Sequence, residues 1–206
     1  MSWVDRYVAF DTETTGLNGD ARIIEIALVL FDRGKVVSEY STLVNPGNEV
    51  DWTDANVQKA LEVNKIKLAD LQGKPSFPDI FHHLFQHFRA ADVWVAHNTE
   101  FDTRMMNQEQ QRHKKTDFPL RPRLSLDTKL LSNKLHPHEK GHRLMEVAPR
   151  WGVVQDGAHR AASDAITCGR ILSAMVQKNA LPSDIGDMMS FHKQASVEWG
   201  STRRRR

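Results

Sequence analysis

Val8-Ala9-Phe10-Asp11-Thr12-Glu13-Thr14-Thr15-Gly16 is an apolar run that ends in two carboxylates, two positions apart, and then breaks at glycine. In a β-strand, side chains at i and i+2 point to the same side. Asp11 and Glu13 therefore face one way and lie close together. Two like charges at that spacing repel unless a cation or a shared proton sits between them. A hard divalent ion such as Mg²⁺, which prefers oxygen ligands, meets that need. The plain alternative is a strand end with two solvated acids, and this stretch alone leaves both open.

Val4 to Phe10 reads as the first strand, ending at the carboxylate pair. Ile23 to Phe31 is β-branched and apolar, which predicts a buried second strand. Asp32-Arg33-Gly34-Lys35 is a turn, and Val36 to Val44 is a third strand closed by Asn45-Pro46-Gly47. Connections this short make an antiparallel meander. Thr53 is expected to cap a short helix through Val63. Ser76 and Pro78 start another, with Ile80, Phe81, Leu84, Phe85 and Phe88 at helical spacing. His82, His83 and His87 fall near its other face, where a solvated surface is favoured over a metal site because no acid or cysteine completes the set. Val93 to Ala96 is a short buried strand, and Asn98 is expected to cap a helix running to about His113. Leu124-Ser125-Leu126 is the last strand, followed by helices near 127–135, 142–151 and 162–178. Strands first and strand–helix alternation afterwards predict an α/β fold with a mixed five-stranded sheet flanked by helices.

Composition narrows the function classes. A chain of 206 residues, 40% hydrophobic and 26% charged, can bury one sizeable core. No apolar run approaches the roughly 20 residues of a membrane helix, and Met1 to Asp5 has no basic-then-apolar leader. Cys168 is the only cysteine, so no internal disulfide forms, which fits a cytoplasmic protein. The 28 Lys and Arg against 26 Asp and Glu give +2, but Arg203 to Arg206 supply four of the positives. Without them the balance is 24 against 26, or −2, so attraction to phosphate must be local or carried by metal ions.

Two further stretches carry chemistry. His97-Asn98-Thr99-Glu100-Phe101-Asp102 sits where strand passes into helix, a usual place for catalytic groups in α/β folds. Asp102 lies in the first helical turn, where the macrodipole favours its charge whether or not it has a further role. His159-Arg160-Ala161-Ala162-Ser163-Asp164 places a histidine ahead of a helix and an acid in its first turn. Together, four carboxylates on three segments and one histidine supply what two-metal phosphodiester hydrolysis requires. Two divalent ions roughly 4 Å apart would clamp the reacting oxygens. A group titrating near neutrality would take the proton of the attacking water, and His159 is suited to that.

At this point the chain resembles the DEDDh 3′–5′ exonucleases. Asp11-x-Glu13-Thr14-Thr15-Gly16, His97-Asn98-x-x-Phe101-Asp102 and His159-x-Ala161-x-x-Asp164 match the three motifs of that family in order, over roughly residues 5–178. Within the family the chain looks like the proofreading exonuclease subunit of bacterial replicative DNA polymerase and its free-standing relatives. The resemblance implies a ribonuclease-H-like fold, with Asp11, Glu13, Asp102 and Asp164 ligating two Mg²⁺ or Mn²⁺ ions, Asp102 directly or through water. It implies that His159 is the general base. Thr14 would hold the terminal nucleotide, Leu17 would wedge beside its base, and Phe101 would line the pocket, while His97 and Asn98 brace the site.

Where those proofreaders carry a His-Gly pair that approaches the substrate, Val63-Asn64-Lys65-Ile66 stands here, and Asn64 is the residue left to bond the nucleotide. The implied activity is release of nucleoside 5′-monophosphates from a free 3′ end, single-stranded or frayed, with DNA favoured over RNA. An RNA-trimming exoribonuclease and a non-catalytic module that binds ends or a polymerase are the alternatives. A polymerase or repair partner is expected, and no membrane. The exonuclease domain is taken as residues 1–180. Residues 181–206 are expected to form an extension, with a short helix over Asp184–Met189 and a disordered basic tail from Arg203 to Arg206.

Overall fold

The alternation along β1 (Arg6–Thr14) decides how the sheet is covered on both sides. Tyr7 and Ala9 point into one apolar cluster, and Val8 and Phe10 point into another. The computed structural model describes residues 5–114, 124–155 and 160–203. Its sheet also contains β2 (Ile23–Asp32), β3 (Lys35–Leu43), β4 (Val93–Ala96) and β5 (Leu124–Asp127), in the order β3-β2-β1-β4-β5. The first three strands pair antiparallel, as the short connections predict, and β4 and β5 add in parallel. Arg33 and Gly34 join β2 to β3 with φ of 48° and 76°, the left-handed pair that a tight hairpin requires.

The helices are α1 (Ala55–Asn64), α2 (Leu68–Leu71), α3 (Phe77–Arg89), α4 (Thr99–Arg112), α5 (Thr128–Leu135), α6 (Leu144–Arg150), α7 (Ala161–Gln177) and α8 (Ile185–Arg203). Helices α3 and α4 cover the face of Val8 and Phe10, while α7, with α6 and α8 outside it, covers the face of Tyr7 and Ala9. Gly169 is what lets α7 lie so close. A Cβ there would fall 2.2 Å from the Phe31 ring, which stacks on Tyr7 at 4.9 Å, and the Tyr7 hydroxyl donates to the Gly169 carbonyl at 2.9 Å.

Three local readings are corrected. Asp54, not Thr53, caps α1, its carboxylate accepting from the Asn56 and Val57 N–H groups. Asn98 occupies the cap position of α4 with φ 84°, yet its side chain makes no capping bond. Asp127 does that work from β5, accepting from the Asn98 and Thr99 N–H groups at 3.0 and 3.2 Å. The same carboxylate also caps α5 through the Lys129 N–H at 2.8 Å. The short helix expected over Asp184–Met189 is a 19-residue helix whose last residue is Arg203, and Arg204 to Arg206 lie outside the described residues.

Helix α8 docks on α5 and on the outer edge of β5, where the His192 ring nitrogen accepts the Asp127 N–H at 3.0 Å. His83 and His87 pack on the Tyr40 ring at 5.1 and 5.4 Å. Among the described residues, no helix is long and apolar enough to cross a membrane.

Candidate active site

The alternation that buries Tyr7 and Ala9 under α7 carries Asp11 and Glu13 out to the same side, beyond the end of the core. Asp164 in the first turn of α7 comes down over them. One carboxylate oxygen from each of Asp11, Glu13 and Asp164 lies within 4.8 Å of the other two, and no other such grouping occurs among the described residues. Gln155 donates to Asp164 Oδ1 at 2.6 Å.

Asp102 approaches from the opposite face. The parallel pairing of β1 with β4 ends at Ala9–Val95. Beyond it, the Thr12 N–H and hydroxyl both donate to Asp102 Oδ1, at 3.0 and 2.7 Å. Asp102 thus stands outside the three-carboxylate group but within its field.

The electrostatics follow from this crowding. Burial, and then Asp102, Glu13, Asp164 and Glu25, push Asp11 well above the ordinary carboxylate range. Burial, followed by Asp164, Glu25 and Asp102, pushes Glu13 up to about 8, against a smaller lowering by Arg160. Burial raises Asp102 to about 7, although the bonds from Thr12 oppose it. Oxygen donors alone, crowded and reluctant to ionise, form a donor set that fits a hard divalent cation.

Glu25 is a fifth carboxylate that the sequence reading passed over. It lies directly opposite Glu13 in the β1–β2 ladder and is 2% exposed. Arg160 grips it through Nε and Nη2 at 3.1 and 2.9 Å, and the Ala161 N–H donates to it at 3.1 Å. This pair ties the start of α7, and so Asp164, to β2. A lone acid inside the apolar run Ile23–Phe31 was the available signal, because buried glutamates are rare unless paired.

His159, the expected base, lies outside the described residues, which resume at Arg160. His97 is a bracing residue by its contacts. Its Nε2–H donates to the His142 carbonyl at 2.8 Å, and its Nδ1 faces the Thr128 hydroxyl at 2.9 Å. Burial lowers its pKa to about 4, so the ring is neutral near pH 7.

Beside the carboxylates, a cleft of about 860 Å³ is lined by Thr14, Leu17, Ala60, Val63 and Asn64 among others. Leu17 stands at its mouth, 79% exposed. Asn64 is buried, and its side-chain nitrogen donates to the Thr14 carbonyl at 2.9 Å. The Thr14 hydroxyl turns back to Gly16 at 2.7 Å. The β1–β2 register shifts between Glu13 and Thr14, a bulge that re-aims Thr14 toward the cleft. Phe101 lies in the first turn of α4, outside this lining, with Arg104 5.3 Å over its ring.

A family model for exonucleases, RNase T, matches residues 8–172. The chain belongs to the RNase T exonuclease family. The DNA polymerase III subunit epsilon of Treponema pallidum is 36% identical over 177 residues, which is 84% of this chain and 78% of that protein. The PolC-type DNA polymerase III of Lacticaseibacillus paracasei is 33% identical over 179 residues. There the match spans 84% of this chain but only 11% of the polymerase. Among solved structures, Exonuclease X in complex with 5′ overhanging duplex DNA is similar with a TM-score of 0.66 and 27% identity, covering 90% of this chain and 97% of that one. The RNase T exonuclease domain described here is therefore a hydrolase, a 3′–5′ exonuclease of the DEDD type with the ribonuclease-H-like fold. Exonucleases of the DEDD type use divalent metals, and an acidic cluster is present in this chain.

Proposed function

We propose that this chain degrades DNA from an unpaired or frayed 3′ end and releases nucleoside 5′-monophosphates. The observation that carries this reading is the convergence of Asp11, Glu13 and Asp164 within 4.8 Å, beside a cleft wide enough for a nucleotide. Asp11, Glu13 and Asp164 would hold two divalent ions, Mg²⁺ or Mn²⁺, with Asp102 completing the set through water or its second oxygen. Such ions, when bound, polarise a phosphate oxygen and ease deprotonation of water.

The chain's own groups do the rest. Thr14 and Asn64 shape the floor that receives the terminal nucleotide, and Leu17 abuts its base. His159 takes a proton from the attacking water as the oxygen bonds to phosphorus. The bond from phosphorus to the 3′ oxygen of the preceding nucleotide breaks, and that oxygen takes a proton from solvent water to leave as the 3′ hydroxyl. The Glu25–Arg160 pair keeps the start of α7, immediately after His159, at a fixed distance from β2.

The preference for DNA is supported by the relatives named above, which are DNA polymerase III proteins. A cleft entered past an exposed leucine suits an unpaired strand, whose terminal base can be splayed out. A polymerase partner is likewise proposed on those relatives' account.

The test is release of mononucleotides from 3′-unpaired DNA and RNA oligonucleotides of one sequence, with Mg²⁺, with Mn²⁺ and with a chelator. Metal-dependent release that is faster from DNA is expected. Faster release from RNA would move the substrate to RNA, and no release from either, with the folded protein in Mg²⁺ and in Mn²⁺, would leave a binding module.

A further inference from the structure

Between Gly16 and Ala21 the chain leaves the sheet as a short loop on which Leu17 is exposed. Its base is pinned. The Thr15 N–H donates to the Arg22 carbonyl and the Arg22 N–H to Thr15 Oγ1, both at 2.9 Å. An exposed leucine on a loop with glycines at 16 and 19 would ordinarily sample many positions.

Helix α4 prevents this. Arg104 donates to the Leu17 carbonyl at 3.2 Å, and Arg112 donates to the Gly19 and Ala21 carbonyls at 2.6 and 3.0 Å. Two guanidinium groups from one helix thus take every second carbonyl along the loop. Arg112 is aimed by Glu109, 3.3 Å away and 1% exposed, which also receives Arg22 Nε at 2.8 Å. A planar fork of fixed donors suits this, since one side chain can hold two carbonyls at once.

We propose that Arg112, assisted by Arg104, is a positioning residue that holds the Gly16–Ala21 loop as a rigid wedge and so sets the preference between paired and unpaired 3′ ends. This rests on the reading of Leu17 given above. Taking a base out of a pair costs a few kcal/mol, and least when it is already unpaired. A loop that must first be ordered loses part of what its leucine gains against the base. Arg112 therefore matters where a pair has to be opened and matters little where none exists.

The experiment uses the full chain with Mg²⁺ and one labelled DNA strand, presented either unpaired or in a blunt duplex. In Arg112→Ala, the unpaired rate should stay within about twofold of wild type and the paired-end rate should fall about tenfold. Arg112→Lys, which has no fork, should fall between. Leu17→Ala should lower the paired-end rate similarly. The double variant should be no slower than Leu17→Ala, because both changes act through one wedge. Should Arg112→Ala not fold by circular dichroism, the same cycle is run with Arg112→Lys. Equal losses on both substrates, no loss on either, or multiplied defects in the double variant would overturn the inference. A folded wild-type chain that degrades neither DNA overturns the substrate reading, and this inference with it.

Discussion

Replacing Glu13 by glutamine should make the metal-free protein more stable at alkaline pH while stopping catalysis. The Glu13 carboxyl is held at about 8 instead of the ordinary 4.5, by burial first and then by Asp164, Glu25 and Asp102. A folded-state value raised above the unfolded one means that stability is full below about pH 4.5 and is lost as pH rises through about 8. At full ionisation the cost is about 5 kcal/mol, taking about 1.4 kcal/mol for each factor of ten in proton affinity. The neighbouring acids share it, so removing one charge should return about 2 kcal/mol. For a chain of this size that is a rise of about 4–8 °C in Tm. The assay is thermal melting in chelator, near pH 5 and near pH 8.5. Glu13→Gln should match wild type at the lower pH and exceed it by that margin at the higher. Added Mg²⁺ should stabilise wild type and stabilise the variant much less. A variant less stable than wild type near pH 8.5, or a difference that does not change with pH, would refute the crowded-carboxylate account.

His159→Ala should slow single-turnover cleavage by about 10²–10⁴-fold, abolish the acidic limb of the pH–rate profile and leave metal binding intact. His97→Ala should instead destabilise the fold by about 1–3 kcal/mol in urea titration, through loss of its bonds to His142 and Thr128, with a smaller effect on the rate of the folded fraction. Asp127→Ala removes the caps of both α4 and α5 and should cost about 1–4 kcal/mol by the same titration. Deleting Arg203–Arg206 should weaken oligonucleotide binding at low salt and flatten its salt dependence, with kcat unchanged.

Much of the site was legible because it rests on local periodicity. The two-residue spacing of Asp11 and Glu13 put them on one side of a strand, and that strand formed as Arg6–Thr14. Ser76 and Pro78 announced α3, where the Ser76 N–H and hydroxyl both donate to Asp79 Oδ2, at 2.9 and 2.6 Å. Asn98 misled for a physical reason. It has the chemistry of a cap, but its backbone is left-handed, and the free N–H groups are taken by Asp127, 29 residues away in sequence. Glu25 was hidden because nothing in its own neighbourhood distinguishes a catalytic-side acid from a misplaced one. Its meaning comes from Glu13 across the ladder and from Arg160, 135 residues later.

The five strands, most of the helices, the three acidic motifs and the family they signal were legible in the sequence, because backbone periodicity and residue chemistry act over a few neighbours; helix α2 and the full length of α8 were not. Which carboxylates meet depends on packing between distant segments. Asp164 joins Asp11 and Glu13 because Gly169 admits the Phe31 ring and lets α7 lie against β1 and β2. Asp102 stops at Thr12 because β4 ends early and leaves that stretch of β1 open. The Gly16–Ala21 loop is held because α4 runs beside it with Arg104 and Arg112 toward its carbonyls. Each of these depends on packing between segments far apart in the chain, and that distance is closed only when the core is buried.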